Sequence, residues 1–209
     1  MNTKPLDWTG RTAVVIASGP SLTDEQASAA AFPRSHVRVI AVNASFRAAK
    51  WPDVVYMGDY QAVKHYAREV HTLCGLDALW TCSRLGAEQH QANYVQGLTQ
   101  EGLGRRGVAM NGNSGFQAVN LAFLFGARKI ILLGFDMKPA PDGRRHWHDE
   151  HPKPLVQASQ FAEWIHKSAA LADDLKAASC DVVNCTPDSA LTCFRRGDLQ
   201  EELACHVRT

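Results

Sequence analysis

The feature that most constrains this chain is a recurring short apolar run, closed each time by small or polar residues. "TAVVIAS" (12–18), "VRVIAVN" (37–43), "DVVYMGD" (53–59), "RKIILLGFD" (128–136) and "CDVVNCT" (180–186) share this form, and "LDALWTCS" (76–83) is a weaker sixth. A β-branched run without polar alternation is a strand buried on both faces. Helix-like segments lie between several of these runs. "LTDEQASAAAF" follows Ser21, expected as its N-cap, with acidic residues in the first turn. "QAVKHYAREV" is a second such segment. "NSGFQAVNLAFLFG" (113–126) is a third, with Asn113 or Ser114 at its cap and Gly126 at its end, and 153–179 reads as a long amphipathic helix. Buried strands alternating with helices predict an α/β fold, a Rossmann-like parallel sheet flanked by helices on both faces. One domain spanning 1–209 is expected, long enough to bury a substantial core. Residues 84–107 read as loop with at most a short helix, and "RRGDLQEELACHVRT" as a solvated tail.

Composition narrows the function classes. The chain is 45% hydrophobic and 21% charged, with a net charge of +1. That balance argues against a broad nucleic-acid footprint. No apolar run approaches the roughly 20 residues of a membrane span. The first residues lack a basic start and apolar core, so a cytoplasmic location is expected. The six cysteines form no C-x-x-C pair, which favours reduced thiols.

In open parallel sheets, ligands bind beyond the carboxyl ends of the strands. That rule selects Ser18-Gly19-Pro20-Ser21, Asn43, Gly58-Asp59, Gly134-Phe135-Asp136 and Asn184-Cys185-Thr186. Gly19 permits close backbone approach to a ligand, Pro20 fixes the turn, and Ser21 at a helix start suits a phosphate. The pattern is neither G-x-G-x-x-G nor G-x-x-x-x-G-K-[ST]. Asn113, Ser114 and Gly115, where a helix begins, offer a second cradle, and the Asp136 carboxylate suits a ribose or sugar hydroxyl. Simple capping and turn formation explain the same residues equally well.

The most reactive-looking stretch is "GRRHWHDEHPK" (143–153). It holds His146, His148, Asp149, Glu150 and His151, flanked by Arg144, Arg145 and Lys153. An imidazole with a pKa near 6.5 suits general-base work. The spacing also looks like the H-x-H-x-D-H signature of metallo-β-lactamase-type hydrolases, which would make it a zinc site. A solvated polar loop is the third reading. Trp147 and Trp164 either pack this loop or stack on a sugar face.

"VVIASGPSL", "NSGFQAVNLAFLFGARKIILLGFDM" and "VVNCTPDSALTCF" together resemble the bacterial sialyltransferases of glycosyltransferase family 42 and the related DUF115 group. The resemblance spans roughly residues 12 to 195. It implies a GT-A-like variant of the fold and a glycosyltransferase. That enzyme would move a sugar from a CMP-sugar-like donor to a hydroxyl acceptor, with no required cofactor or metal. The donor would meet Gly19, Pro20, Ser21, Asn43, Asp59, Asn113, Ser114, Gly115 and Asp136. His151, or else His148, would be the general base, with Lys138 standing where the sialyltransferases place a Tyr. Arg144 and Arg145 would steady phosphate or acceptor, and residues 84–107 and 138–153 would be active-site loops. One alternative is a pyrophosphokinase or phosphotransferase of the DUF115 type, which calls on Mg²⁺ with Asp59 or Asp136 as ligands. A non-catalytic nucleotide- or sugar-binding protein is another. A nucleotide-sugar donor, a hydroxyl acceptor and a second copy of the chain are the partners this resemblance implies.

Overall fold

The structure is a computed structural model of the chain, described over residues 5–31, 34–148, 155 and 160–204. Its strands in chain order are β1 (Thr12–Ile16), β2 (Val37–Val42), β3 (Val54–Met57), β4 (Leu79–Thr81), β5 (Asn93–Tyr94), β6 (Gly97–Leu98), β7 (Val108–Ala109), β8 (Lys129–Leu133), β9 (Asp181–Asn184) and β10 (Arg195–Arg196). The helices are α1 (Asp24–Ala31), α2 (Tyr60–Cys74), α3 (Arg84–His90), α4 (Ser114–Leu124), α5 (Phe161–Ala177) and α6 (Leu199–Ala204). Eight strands form one sheet in the order β10-β9-β8-β1-β2-β3-β4-β5, and β6 and β7 pair separately. Every pairing is parallel. The expected Rossmann-like architecture is present.

β1 lies near the middle of the sheet, with Thr12 opposite Val37 of β2 on one side and Lys129 of β8 on the other. All five of its residues are buried. Successive side chains point to opposite faces. Ala13 and Val15 join a core with Phe116 and Leu121 of α4 and Leu171 and Leu175 of α5. Val14 and Ile16 join a second core with Ala27 of α1, Val63 and Val70 of α2, and Leu199 and Leu203 of α6. Each fully buried Val or Ile contributes about 1.5–3 kcal/mol of apolar burial, which is why the runs lack polar alternation.

Three expectations need correction. The first concerns α1, which begins at Asp24, so Ser21 is not its cap. Thr23 Oγ1 accepts from Gln26 N at 3.2 Å and Gln26 Oε1 accepts from Thr23 N at 3.1 Å, a reciprocal capping box. That pair satisfies two otherwise orphaned donors, which Ser21 is too far upstream to do. The second concerns residues 84–107, which hold α3, β5 and β6. The stretch from Gly102 to Ala109 is pinned by a buried amide. Asn120 Oδ1 accepts from Gly104 N at 2.8 Å and Ala109 N at 2.9 Å, and its Nδ2 donates to Gly104 O at 2.8 Å. The third concerns the C-terminal stretch, which as far as Ala204 docks on the sheet instead of dangling. Leu199 and Leu203 are buried, and Glu202 meets Lys129 Nζ at 3.0 Å and the Arg195 guanidinium. The long helix, expected over 153–179, runs from Phe161 to Ala177; residues 153, 154 and 156–159 lie outside the described residues. Among the described residues no helix is long and apolar enough to cross a membrane.

Candidate functional site

β1 has β2 on one side and β8 on the other, so the crossovers diverge at the β1–β8 boundary. A crevice opens at the carboxyl ends of strands where connections part in this way. Two adjoining hollows occupy it. The inner one, of about 140 Å³, is lined by Gly19, Pro20, Gly115, Gly134, Asp136, Lys138 and Arg145 among others. The outer one, of about 300 Å³, is lined by Gly58, Asp59, Tyr66, Met110, Gly112 and Gln117 among others. Asn43, Asn113, Ser114, His146 and Trp164 border both.

The turn after β1 is tied to the end of β8. Gly19 N donates to Gly134 O at 2.9 Å, and Ser21 N donates to Asp136 Oδ1 at 3.1 Å. A Cβ on Gly19 would stand 1.9 Å from Asp136 Oδ2 and 2.4 Å from Gly134 O. Glycine is therefore required here by the packing of Asp136 against the turn. Asp136 is 6% exposed. Burial pushes its carboxyl up, and the bonds from Ser21 only partly offset that. Asp136 Oδ2 and Ser21 Oγ are both buried beside each other, and the Ser21 hydroxyl and N–H both favour the ionised carboxylate.

The opposite wall comes from β2 and α4. Asn43 directly follows β2 with φ of 51°, a left-handed conformation that Asn tolerates better than most residues. Its Oδ1 is buried without a partner among the described residues. Asn113 caps α4, its Oδ1 accepting from Phe116 N at 3.0 Å, while its Nδ2 is buried without a partner. Ser114 Oγ accepts from Gly58 N at 3.3 Å. Asp59 caps α2 by accepting from Ala62 N at 2.8 Å. Trp164 Nε1, from α5, is a further buried donor with no partner among the described residues. Buried polar groups are normally satisfied, and three side chains bordering the inner hollow (Asn43, Asn113 and Trp164) hold a buried polar atom with no partner among the described residues.

The segment after β8 folds over the end of β1, with Trp147 N donating to Ser18 O at 3.2 Å. His146 borders both hollows, and its ring stacks on that of His148 at 5.3 Å and 9°. Burial, and then the neighbouring His148 and Arg145, hold the His146 pKa below its usual value, against a bond to the Ser18 backbone that raises it. Burial thus favours the uncharged form of the ring, which can take up a proton.

Most of the strand-end residues named from sequence gather around this cleft: Gly19, Pro20, Asn43, Asp59, Asn113, Ser114, Gly115, Asp136, Lys138 and Arg145 line it. Ser21 reaches it through its bond to Asp136. Lys138 pairs with Asp188 at 2.6 Å. Arg144 pairs with Asp142 at 2.7 Å and borders neither hollow. His148 stands behind His146, and His151, Asp149 and Glu150 lie outside the described residues. Among the described residues no three His, Cys, Asp or Glu side chains are grouped to hold a metal. Sequence reasoning named His146 in the reactive stretch but preferred His151 and His148 as the base, and it did not single out Gln117. Gln117, which accepts from Tyr56 Oη at 3.0 Å, had a readable signal as a polar residue on an almost wholly apolar helix.

The sequence matches no family model and no curated protein. Among solved structures it is similar to a short-chain dehydrogenase/reductase from Serratia marcescens BCRC 10948, at 19% identity over 87% of this chain and 74% of that one, TM-score 0.33. A dehydrogenase/reductase from Sinorhizobium meliloti 1021 is 17% identical over 95% and 86%, TM-score 0.34. A metagenomic short-chain oxidoreductase in complex with NADP is 17% identical over 87% and 84%, TM-score 0.31. These likenesses are to oxidoreductases, not to glycosyltransferases. The expected membership in glycosyltransferase family 42 or DUF115 is therefore withdrawn. With it go the sugar-transfer function, its pyrophosphokinase and non-catalytic alternatives, and the expectation that no cofactor is required.

Proposed function

We propose that the chain is an enzyme acting on a nucleotide-bearing ligand in the strand-end cleft, with His146 as the group that takes up a proton. The observation that carries this reading is a set of buried polar atoms beside His146 that have no partner among the described residues: Asn43 Oδ1, Asn113 Nδ2 and Trp164 Nε1. This mixture of donors and acceptors beside an indole suits a ribose and a base. Lys138 and Arg145 at the mouth supply positive charge for a phosphate. A desolvated His that favours its uncharged form is matched to proton transfer near pH 7.

One of the similar structures is a complex with NADP. A dinucleotide typically seats its pyrophosphate on the free N–H groups of the turn after the first strand, through G-x-G-x-x-G. Here that turn reads Ser18-Gly19-Pro20-Ser21, and the Ser21 N–H is spent on Asp136. A pyrophosphate placed there would face a carboxylate. The residues do not fit a dinucleotide seated in that way, so no hydride step is derived.

Titration calorimetry with AMP, CMP, GMP, UMP and NADP, with Trp fluorescence as a second readout, tests the reading. Binding of at least one mononucleotide is expected, lost in Trp164→Ala and Asn113→Ala, and more favourable than NADP. No mononucleotide binding at millimolar concentration, or NADP binding above all others, refutes it.

A further inference from the structure

Met110 stands apart from the residues around it. Val108, Ala109 and Asn111 are fully buried, and the Met110 backbone is fixed by its N–H, which donates to Leu98 O at 3.0 Å and to Gln100 O at 3.1 Å. Yet the Met110 side chain lines the outer hollow, and the residue is 44% exposed. Its sulfur is held from behind. Gln117 Nε2 donates to Met110 Sδ at 3.2 Å, and the other end of that amide, Oε1, accepts from the buried Tyr56 Oη at 3.0 Å. Gln117 is itself buried, so Tyr56 fixes which way the amide faces and turns its N–H group to the sulfur. A thioether is a weak acceptor, and a buried amide donor is poorly served by one. The other described methionines differ. Met57 is fully buried in β3, and Met137 packs against the core.

We propose that Met110 is a modification site, at which a peroxide converts the thioether to a sulfoxide whose oxygen accepts the Gln117 N–H. A sulfur lone pair attacks one peroxide oxygen, and the O–O bond breaks as the S–O bond forms. The sulfur is oxidised by two electrons. The second oxygen leaves as hydroxide and takes the proton of the first, giving water. The product places a strong acceptor before a donor that had a weak one. Oxidation ordinarily disrupts the packing of a methionine, whereas here it completes a buried bond. No oxygen fits between a nitrogen and a sulfur 3.2 Å apart, so the sulfur withdraws, and its open side is the outer hollow of about 300 Å³. Oxidation therefore narrows the hollow that Trp164 borders, whatever the cleft binds.

The test treats the full chain with hydrogen peroxide and follows each methionine by peptide mass spectrometry. Met110 should oxidise about tenfold faster than Met57 and Met137, because susceptibility follows exposure. Trp fluorescence should change with the Met110 rate constant; Met110→Leu should abolish that change, and Trp164→Phe should reduce it. The Gln117 side-chain N–H resonance should move to lower field as its acceptor strengthens. The oxidised chain should melt no lower than the untreated one, whereas Gln117→Leu should melt lower once oxidised. Methionine sulfoxide reductases for the two epimers should return the fluorescence to its starting value. Oxidation of Met110 no faster than that of Met137 overturns the proposal. So does a Gln117 resonance that stays in place, or an equal loss of Tm on oxidation in the unaltered chain and in Gln117→Leu. Should Gln117→Leu not fold, the Gln117 resonance in the unaltered chain decides.

Discussion

Removing the Asn120 side chain should cost far more than its size suggests. Asn120 is fully buried on α4 and makes three short bonds to Gly104 and Ala109 backbone groups. In Asn120→Ala two N–H groups and one carbonyl lose their partner in a region with little access to water. Each unsatisfied buried group costs about 1–3 kcal/mol, and local relaxation recovers part of that. The expected loss is about 3–5 kcal/mol. For a chain of this size, each 1 kcal/mol lowers Tm by about 2–4 °C, so Tm should fall by roughly 10 °C. Urea unfolding followed by circular dichroism would check this, with the midpoint falling and the slope unchanged. Asn120→Asp should not rescue, because a carboxylate oxygen would then oppose the Gly104 carbonyl. A loss below about 1 kcal/mol for Asn120→Ala would refute the claim that this amide fastens the stretch leading into Met110 and Asn113 at the cleft.

Other expectations are shorter. Gly19→Ala should lose both folding stability and ligand binding, because the new methyl collides with Asp136 and the Gly134 carbonyl; comparable Tm and affinity would contradict the packing described. The Glu202 carboxyl is held down from 4.5 to about 2, chiefly by Arg195, with Lys129 adding to it. A depressed acid stabilises the fold above its unfolded pKa and loses that contribution as pH falls through the folded value. Half-exposed Arg195 discounts the pair to about 1–2 kcal/mol, present above about pH 5 and gone near pH 2. Glu202→Gln should remove that part of the acid dependence in urea titrations between pH 6 and 2.5. Burial pushes the Cys180 thiol up to about 12 and that of Cys185 up to about 11. Iodoacetamide at pH 8 should leave both unmodified by mass spectrometry until urea is added; rapid labelling of the folded chain would contradict their burial.

The strands were legible because burial on both faces leaves an unmistakable apolar run, and "RKIILLGFD" became the core of β8 with little adjustment. The cleft was legible because ligands in parallel sheets bind beyond the carboxyl ends of the strands, a rule that needs no strand order. Asn43, Ser114 and Asp136 were therefore reachable without coordinates. What escaped was whatever tertiary contact decides. Thr23 and not Ser21 caps α1, because its partner Gln26 lies three residues on. "RRGDLQEELACHVRT" looks polar because, among its described residues, Leu199 and Leu203 are the buried apolar ones, and Arg195 and Glu202 are spent on ion pairs. Which imidazole of "HWHDEH" borders the cleft depends on how the loop lies across Ser18, and nothing periodic encodes that.

The central position of β1 has a consequence for how the chain is made. Its partner on one side, β2, follows within about 25 residues in register, Thr12 meeting Val37, but on the other side Thr12 waits for Lys129. A nascent chain that has emerged only as far as α4 can assemble β1 to β5, yet the far edge of β1 then stands open, apolar and unpaired. An edge of that kind is a template for pairing with other chains. The long interval before β8 arrives is thus a window of exposure on the ribosome. Slowing translation between β5 and β8 should raise aggregation more than slowing it after β8 has emerged.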